Sequence, residues 1–156
     1  SALYEQTVLV GKKGPVVLVF YRGAWCPFCN LYLRAIQEKL PEIKAKGATL
    51  VAMTSAKPDL EFEKTKLNYT VLSDPQNKVS KKFGLVYQIT KEMDEFYKSI
   101  GKNLTQEYGT EKSELLMSAV YIIDKNGTVK YVRAEAAYKN WAEPKEILAQ
   151  LAKLKM

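Results

Sequence analysis

Cys26 and Cys29 stand three residues apart and are the only cysteines in a chain of 156 residues. A predicted buried strand leads to Trp25 with a helix starting immediately after it, so Cys26 falls at the helix N-cap and Pro27 at the first helical position, where a missing N–H costs nothing. A thiolate on Cys26 would accept from the free amides of Phe28 and Cys29 and would sit at the positive end of the helix dipole. Both effects favour the charged sulfur and bring its pKa from about 8.5 into the range of roughly 3.5–7.5. Cys29 follows one turn later on the same face, within reach of a sulfur–sulfur bond that closes only a tiny loop, so the value of that bond is chemical. In such a cycle Cys26 attacks a substrate disulfide and Cys29 resolves the mixed disulfide. The competing reading, two small buried apolar residues, is disfavoured by the strand-to-helix position, the preceding tryptophan and the lack of other cysteines.

The elements that must position this turn can be read around it. Gly14-Pro15 precedes the apolar, β-branched run Val16 to Tyr21, which reads as a strand buried on both faces, as in a parallel sheet. Beyond Arg22-Gly23-Ala24-Trp25, the residues Leu33, Ile36, Leu40 and Ile43 recur at helical steps. This predicts a helix from about Cys26 to Gly47, kinked or divided by Pro41. Thr49 to Met53 is a second buried strand, giving a βαβ unit with a right-handed crossover. A helix is expected from about Pro58 to Leu67 and a strand at Thr70-Val71-Leu72. Asp74-Pro75 then supplies an N-cap for a helix closed by Gly84. Residues 86–114 read as an excursion covering one side of the site, with helical spacing from Lys91 to Ile100. Ala119 to Ile123, the turn Asp124-Lys125-Asn126-Gly127 and Thr128 to Arg133 form a hairpin. A closing amphipathic helix starts near Pro144 and buries Ile147, Leu148, Leu151 and Leu154. The order predicts a single domain over 1–156, an α/β three-layer sandwich around a mixed sheet.

Composition narrows the chemistry. The absence of histidine removes Ser-His-Asp and Cys-His catalysis and His-based metal sites, and two cysteines make half of a structural zinc site. No cofactor or metal is expected. The net charge of +7 comes from 21 lysines and 3 arginines against 17 acids. The lysines are scattered over polar helix faces, so neither specific nucleic-acid binding nor a membrane is expected. No apolar stretch is long enough to span a bilayer, and the N-terminus lacks a secretion pattern. Residues 3–14 read as the end of something that begins earlier, which leaves room for a removed leader. A cytoplasmic location with a reduced resting state is the default.

The run Val17 to Asn30 (VLVFYRGAWCPFCN) resembles the active-site segment of the peroxiredoxin-like branch of the AhpC/TSA family. Further matches are Leu33-Arg34-Ala35, Leu40-Pro41-Glu42-Ile43, Leu72-Ser73-Asp74, Phe83-Gly84-Leu85, Tyr121-Ile122-Ile123-Asp124 and Ala142-Glu143-Pro144. The resemblance covers Gly14 to Leu151 and implies the thioredoxin-like fold. Peroxiredoxins carry a P-x-x-x-T-x-x-C pattern and an arginine from a later strand. Aligning Cys29 with the peroxidatic cysteine puts Arg22 at the proline, Cys26 at the threonine and Ser118 near the arginine. The buried acid of thioredoxin would fall at Phe20, and its cis-proline at Ser118, where a trans bond is predicted.

Supporting roles follow from this comparison. Arg22 either lends positive charge to a thiolate or makes a surface salt bridge. Ser118 either offers its hydroxyl in a more open groove beside Cys26 or is a small tolerated strand residue. Trp25 is expected to cover the nucleophile from water. Tyr4, Tyr87, Tyr97, Tyr108, Tyr131 and Tyr138 either form an aromatic binding surface or pack with hydroxyls at the rim.

Three functions fit this reading. The leading one is a dithiol–disulfide oxidoreductase acting on protein or small-molecule disulfides. The second is a thiol peroxidase that reduces hydroperoxides at the expense of an external thiol reductant. The third is a non-catalytic thioredoxin-fold binding module, with cysteines shared between subunits. An oligomer is compatible with all three.

Overall fold

A strand with no polar residue needs ladder partners on both edges and apolar cover on both faces, and β1 (Val16–Phe20) has all four. The computed structural model describes residues 14–55, 66–135 and 142–154. Within them β1 pairs in parallel with β2 (Thr49–Thr54), which pairs in parallel with β3 (Thr70–Ser73). On its other edge β1 pairs antiparallel with β6 (Ser118–Ile123), whose hairpin partner is β7 (Val129–Glu135). The sheet order is β3-β2-β1-β6-β7, the mixed arrangement expected from the sequence.

The predicted long helix is divided. α1 (Pro27–Glu38) and α2 (Leu40–Ala45) meet at Lys39, because Pro41 has no N–H to give to the carbonyl four residues back. Gly47, at φ +76°, ends α2 in a Schellman motif: its amide reaches Lys44 O at 2.9 Å and the Ala48 amide reaches Ile43 O at 3.2 Å. Glycine adopts that left-handed conformation without a Cβ penalty. Cys29, Leu33, Ile36 and Ile43 pack with Val17, Val19, Leu50, Ala52, Val120 and Ile122 on one face of the sheet. Ile147 and Leu151 of α6 (Pro144–Ala152) close that core, with Leu148 and Leu154 partly buried against it.

The opposite face buries Leu18, Phe20, Met53, Leu85 and Leu116. Phe20, Phe83 and Tyr121 form a cluster of tilted and edge-on rings there, with centroids 4.9–5.8 Å apart. The Asp74 cap differs from expectation. Pro75–Asn77 is only a 3-10 turn, in which Gln76 and Asn77 adopt φ values of +62° and +58°. The Asp74 carboxylate reaches past that turn to α3 (Lys78–Lys82) and accepts from the amides of Val79 at 2.9 Å and Ser80 at 2.8 Å and from Ser80 Oγ at 2.7 Å.

The excursion has structure of its own. β4 (Val86–Gln88) pairs antiparallel with β5 (Glu114–Leu116) in a separate two-stranded sheet, which the sequence reading does not anticipate. Between them run α4 (Lys91–Ser99), as expected, and the short α5 (Leu104–Tyr108). Ser113 Oγ donates to the Asp94 carboxylate at 2.6 Å and fastens α4 to the start of β5. The helix expected over 58–67 lies almost wholly outside the described residues.

Asp74 is 2% exposed and satisfies three donors. Asp74→Ala is expected to lower the unfolding free energy by about 2 kcal/mol, since it strands buried amides at a helix start. Urea denaturation of the two proteins measures this, and equal midpoints would contradict the assignment.

Candidate active site

The chain leaves the sheet in a tightly bonded turn. The Tyr21 amide still donates to Met53 O at 3.0 Å, which extends the β1–β2 ladder by one residue. The Cys26 amide then donates to Gly23 O at 3.1 Å, and the Asn30 amide to Cys26 O at 3.1 Å, the first bond of the helix. Asn30 Nδ2 reaches back to Ala24 O at 2.6 Å and ties the helix to the turn that precedes it.

Cys26 is the N-cap of α1, with extended backbone (φ −92°, ψ 109°), and Pro27 opens the helix. The Cys29 amide donates to Cys26 Sγ at 3.3 Å. The two sulfurs are joined as a disulfide, with Cα atoms 5.2 Å apart. Cys26 is 5% exposed and Cys29 fully buried, whereas the intervening Phe28 is 44% exposed. The helix start therefore sets a hydrogen-bond donor and the dipole's positive end on the first sulfur, while the second sulfur faces the core.

Arg22 is 5% exposed, a buried position and not a surface one. Its Nη1 and Nη2 donate to the hydroxyls of Tyr97 at 3.4 Å and Tyr87 at 3.2 Å. Its carbonyl accepts from the Tyr108 hydroxyl at 2.9 Å. Burial raises the Tyr108 phenol far above its ordinary pKa, the nearby Arg22 charge opposing this only in part, so the group stays a donor. Trp25 sits between the main core and the small core of Tyr97, Leu104, Tyr108 and Leu115. Its ring meets Tyr97 edge-on at 5.9 Å. The excursion thus lies against the turn, as its expected covering role requires.

Ser118 is the first residue of β6 and 2% exposed, and its hydroxyl has no hydrogen-bond partner among the described residues. The ladder from Phe20↔Ala119 brings it to the end of the sheet where the chain enters the turn. All peptide bonds among the described residues are trans.

Cys26, Pro27, Cys29, Trp25 and Arg22 are therefore gathered at one strand-to-helix junction, and Ser118 reaches the same sheet end from another strand. Tyr87 and Tyr131 are half-buried at the edges of the cores, whereas two other tyrosines depart from the rim packing considered for them. Tyr97 and Tyr108 are buried, and Tyr87 with them holds Arg22. Their partner lies 65 to 86 residues away in sequence, and no local pattern signals such a contact. The bond from Asn30 to Ala24 likewise has no sequence signal. Tyr4 and Tyr138 lie outside the described residues.

The family model for the AhpC/TSA family matches residues 4–132. Peroxiredoxin Q, chloroplastic, of Oryza sativa subsp. japonica is 28% identical over 146 residues, which are 92% of this chain and 55% of that protein. Peroxiredoxin Bcp of Escherichia coli (strain K12) is 34% identical over 85 residues, 52% of this chain and 54% of that one. The chain thus spans about half the length of these curated relatives. Among solved structures, peroxidoxin BcpB from Mycobacterium tuberculosis superposes with a TM-score of 0.72 at 21% identity, covering 96% of this chain and 86% of that one. Peroxiredoxin Q of Xanthomonas campestris gives 0.67 at 16%, covering 91% and 80%. At these identities the shared property is the fold, which is the expected thioredoxin-like one.

Tyr108→Phe leaves the buried Arg22 carbonyl without its phenol donor. It is expected to cost about 1–3 kcal/mol of stability and to speed hydrogen exchange of the Cys26 amide in the turn. Denaturant titration and amide exchange check both, and an unchanged turn would show that Tyr108 only fills space.

Proposed function

Since the chain belongs to the AhpC/TSA family, we propose that it is a thiol-dependent oxidoreductase that reduces hydroperoxides and ends each oxidation as the Cys26–Cys29 disulfide. The carrying observation is the bonded pair at a helix start, with the Cys29 amide directed at Cys26 Sγ. Relatives named peroxiredoxins supply the class of oxidant.

In this reading the thiolate that attacks one oxygen of the hydroperoxide and breaks the O–O bond is Cys26, the less buried sulfur and the one that receives the Cys29 amide, although Cys29 is the residue that aligns with the family's peroxidatic cysteine. The sulfur becomes a sulfenic acid, and the departing alkoxide takes a proton from water. The Cys29 thiol condenses with the sulfenic acid, forming the S–S bond and releasing water. An external dithiol then reduces that bond and is itself left as a disulfide. Pro27 leaves the amides beyond it free to face the sulfur, and Trp25 limits its contact with water. Arg22, a buried cation four residues before the nucleophile, adds positive potential where negative charge develops. A cytoplasmic setting, in which the pair rests reduced, accords with this cycle.

A second reading has its own support. Arg22 and Cys26 stand where the peroxiredoxin pattern has proline and threonine, and the remaining C-x-x-C turn suffices for exchange with a protein or small-molecule disulfide.

Stopped-flow measurements on the reduced protein and two variants separate these readings. Cys26→Ser is expected to abolish both peroxide consumption and disulfide reduction. Cys29→Ser is expected to keep one fast oxidation, trappable by dimedone as a sulfenic acid, and to lose turnover with a dithiol. A wild-type peroxide rate no faster than that of a free thiol, with disulfide reduction intact, would transfer the conclusion to the second reading.

A further inference from the structure

A disulfide sulfur is a weak hydrogen-bond acceptor and a thiolate a strong one, so reduction changes what the surroundings of the cysteines must supply. Cys26 has the Cys29 amide. Cys29 is fully buried, and burial among apolar groups disfavours a charged sulfur unless donors reach it.

Two such donors are at hand. Tyr21 is 0% and Ser118 2% exposed, and among the described residues both hydroxyls lack a hydrogen-bond partner in the oxidised molecule. The β1–β6 register ends at Phe20↔Ala119, and its next step sets Tyr21 opposite Ser118. Alternation along the strands puts both on the face of Val17, Val19, Val120 and Ile122. Tyr21, Cys26 and Cys29 belong to the core on that face. Tyr21 also interacts electrostatically with Tyr69, whose hydroxyl donates to Leu33 O at 2.9 Å, one turn beyond Cys29 in α1. Unpaired buried hydroxyls are destabilising, and here two neighbouring ones share a face with a redox-active pair.

Building on the reading of that pair as a redox dithiol, we propose that Tyr21 and Ser118 form the hydrogen-bonding seat of the Cys29 thiolate, idle in the disulfide and engaged on reduction. When an external dithiol breaks the S–S bond, it gives up two electrons and becomes a disulfide. The cysteine sulfurs take those electrons, and the seat decides whether Cys29 also keeps a proton. Burial holds the Tyr21 phenol well above its usual range, so it remains a donor. Among the described residues, the other titratable or charged groups on this face are Tyr32, Tyr69, Tyr131 and Arg133. Tyr32 and Tyr69 already donate to the carbonyls of Ala142 and Leu33. Arg22 lies toward the excursion, held by Tyr87 and Tyr97.

Tyr21→Phe and Ser118→Ala each remove one hydroxyl. Wild type and variants are equilibrated with dithiothreitol redox buffers and the reduced fraction is read by thiol trapping and mass. Each variant is expected to shift the equilibrium toward the disulfide by about tenfold, while the oxidised form melts no lower than the wild type. Ser118→Thr, which keeps a hydroxyl, should stay near wild type. In a Cys26→Ser background, the ultraviolet thiolate absorbance of Cys29 should titrate at higher pH once either hydroxyl is removed. Equilibria and titrations indistinguishable from the parent proteins would overturn the proposal and leave the dithiol chemistry standing. A wild-type pair that neither oxidises with peroxide nor exchanges with disulfides would instead overturn the function, whatever these variants do. Should Tyr21→Phe fail to fold, the two Ser118 variants decide.

Discussion

The amide of Cys29 meets the sulfur of Cys26 only because a helix begins at the residue where a fully buried strand has just released the chain. This interaction has long-range requirements. β1 must be held on both edges so that its end is fixed, and β2 and β6 do this. The helix must be anchored along its apolar stripe, and Leu33 and Ile36 do that. Between the two, the bonds from Cys26 to Gly23, from Asn30 to Ala24 and from the Tyr108 hydroxyl to Arg22 O keep a short irregular segment in register. An error at any of these points would turn the helix start away from the sulfur, and the charged form would lose its donor.

The excursion solves a related problem on the other side. A cation as buried as Arg22 needs polar company, and the hydroxyls of Tyr87 and Tyr97 are part of it. Tyr108 takes the backbone carbonyl of the same residue, so side chain and main chain of Arg22 are both fixed by a segment that does not belong to the central sheet. Trp25 completes the join by packing on two cores at once.

Much of this architecture was legible in sequence, because its signals are local. Five consecutive apolar residues at β1, the three- and four-residue steps of α1 and the Asn-Gly turn before β7 each carry their own physics. The cysteine turn was legible for the same reason: proline after the first cysteine marks a helix start. Other features had no local signature. Gln76 and Asn77 adopt left-handed backbone that neither residue demands, so the Asp74 cap was assigned to the wrong turn of helix. Three tyrosines converge on Arg22 through contacts that span half of the chain. The pairing of β4 with β5 depends on two three-residue segments too short to show a period.

The cysteine spacing has a consequence for how the protein carries its oxidation state. Both sulfurs belong to a single helical turn, with Cα atoms 5.2 Å apart, so gaining or losing two electrons asks no other segment to move. Proteins whose cysteines are drawn from distant loops register oxidation as a change of shape that a partner can read. In the proposed cycle the record is confined to the few atoms of one helical turn, which suits a catalyst that returns to its starting point and ill suits a sensor.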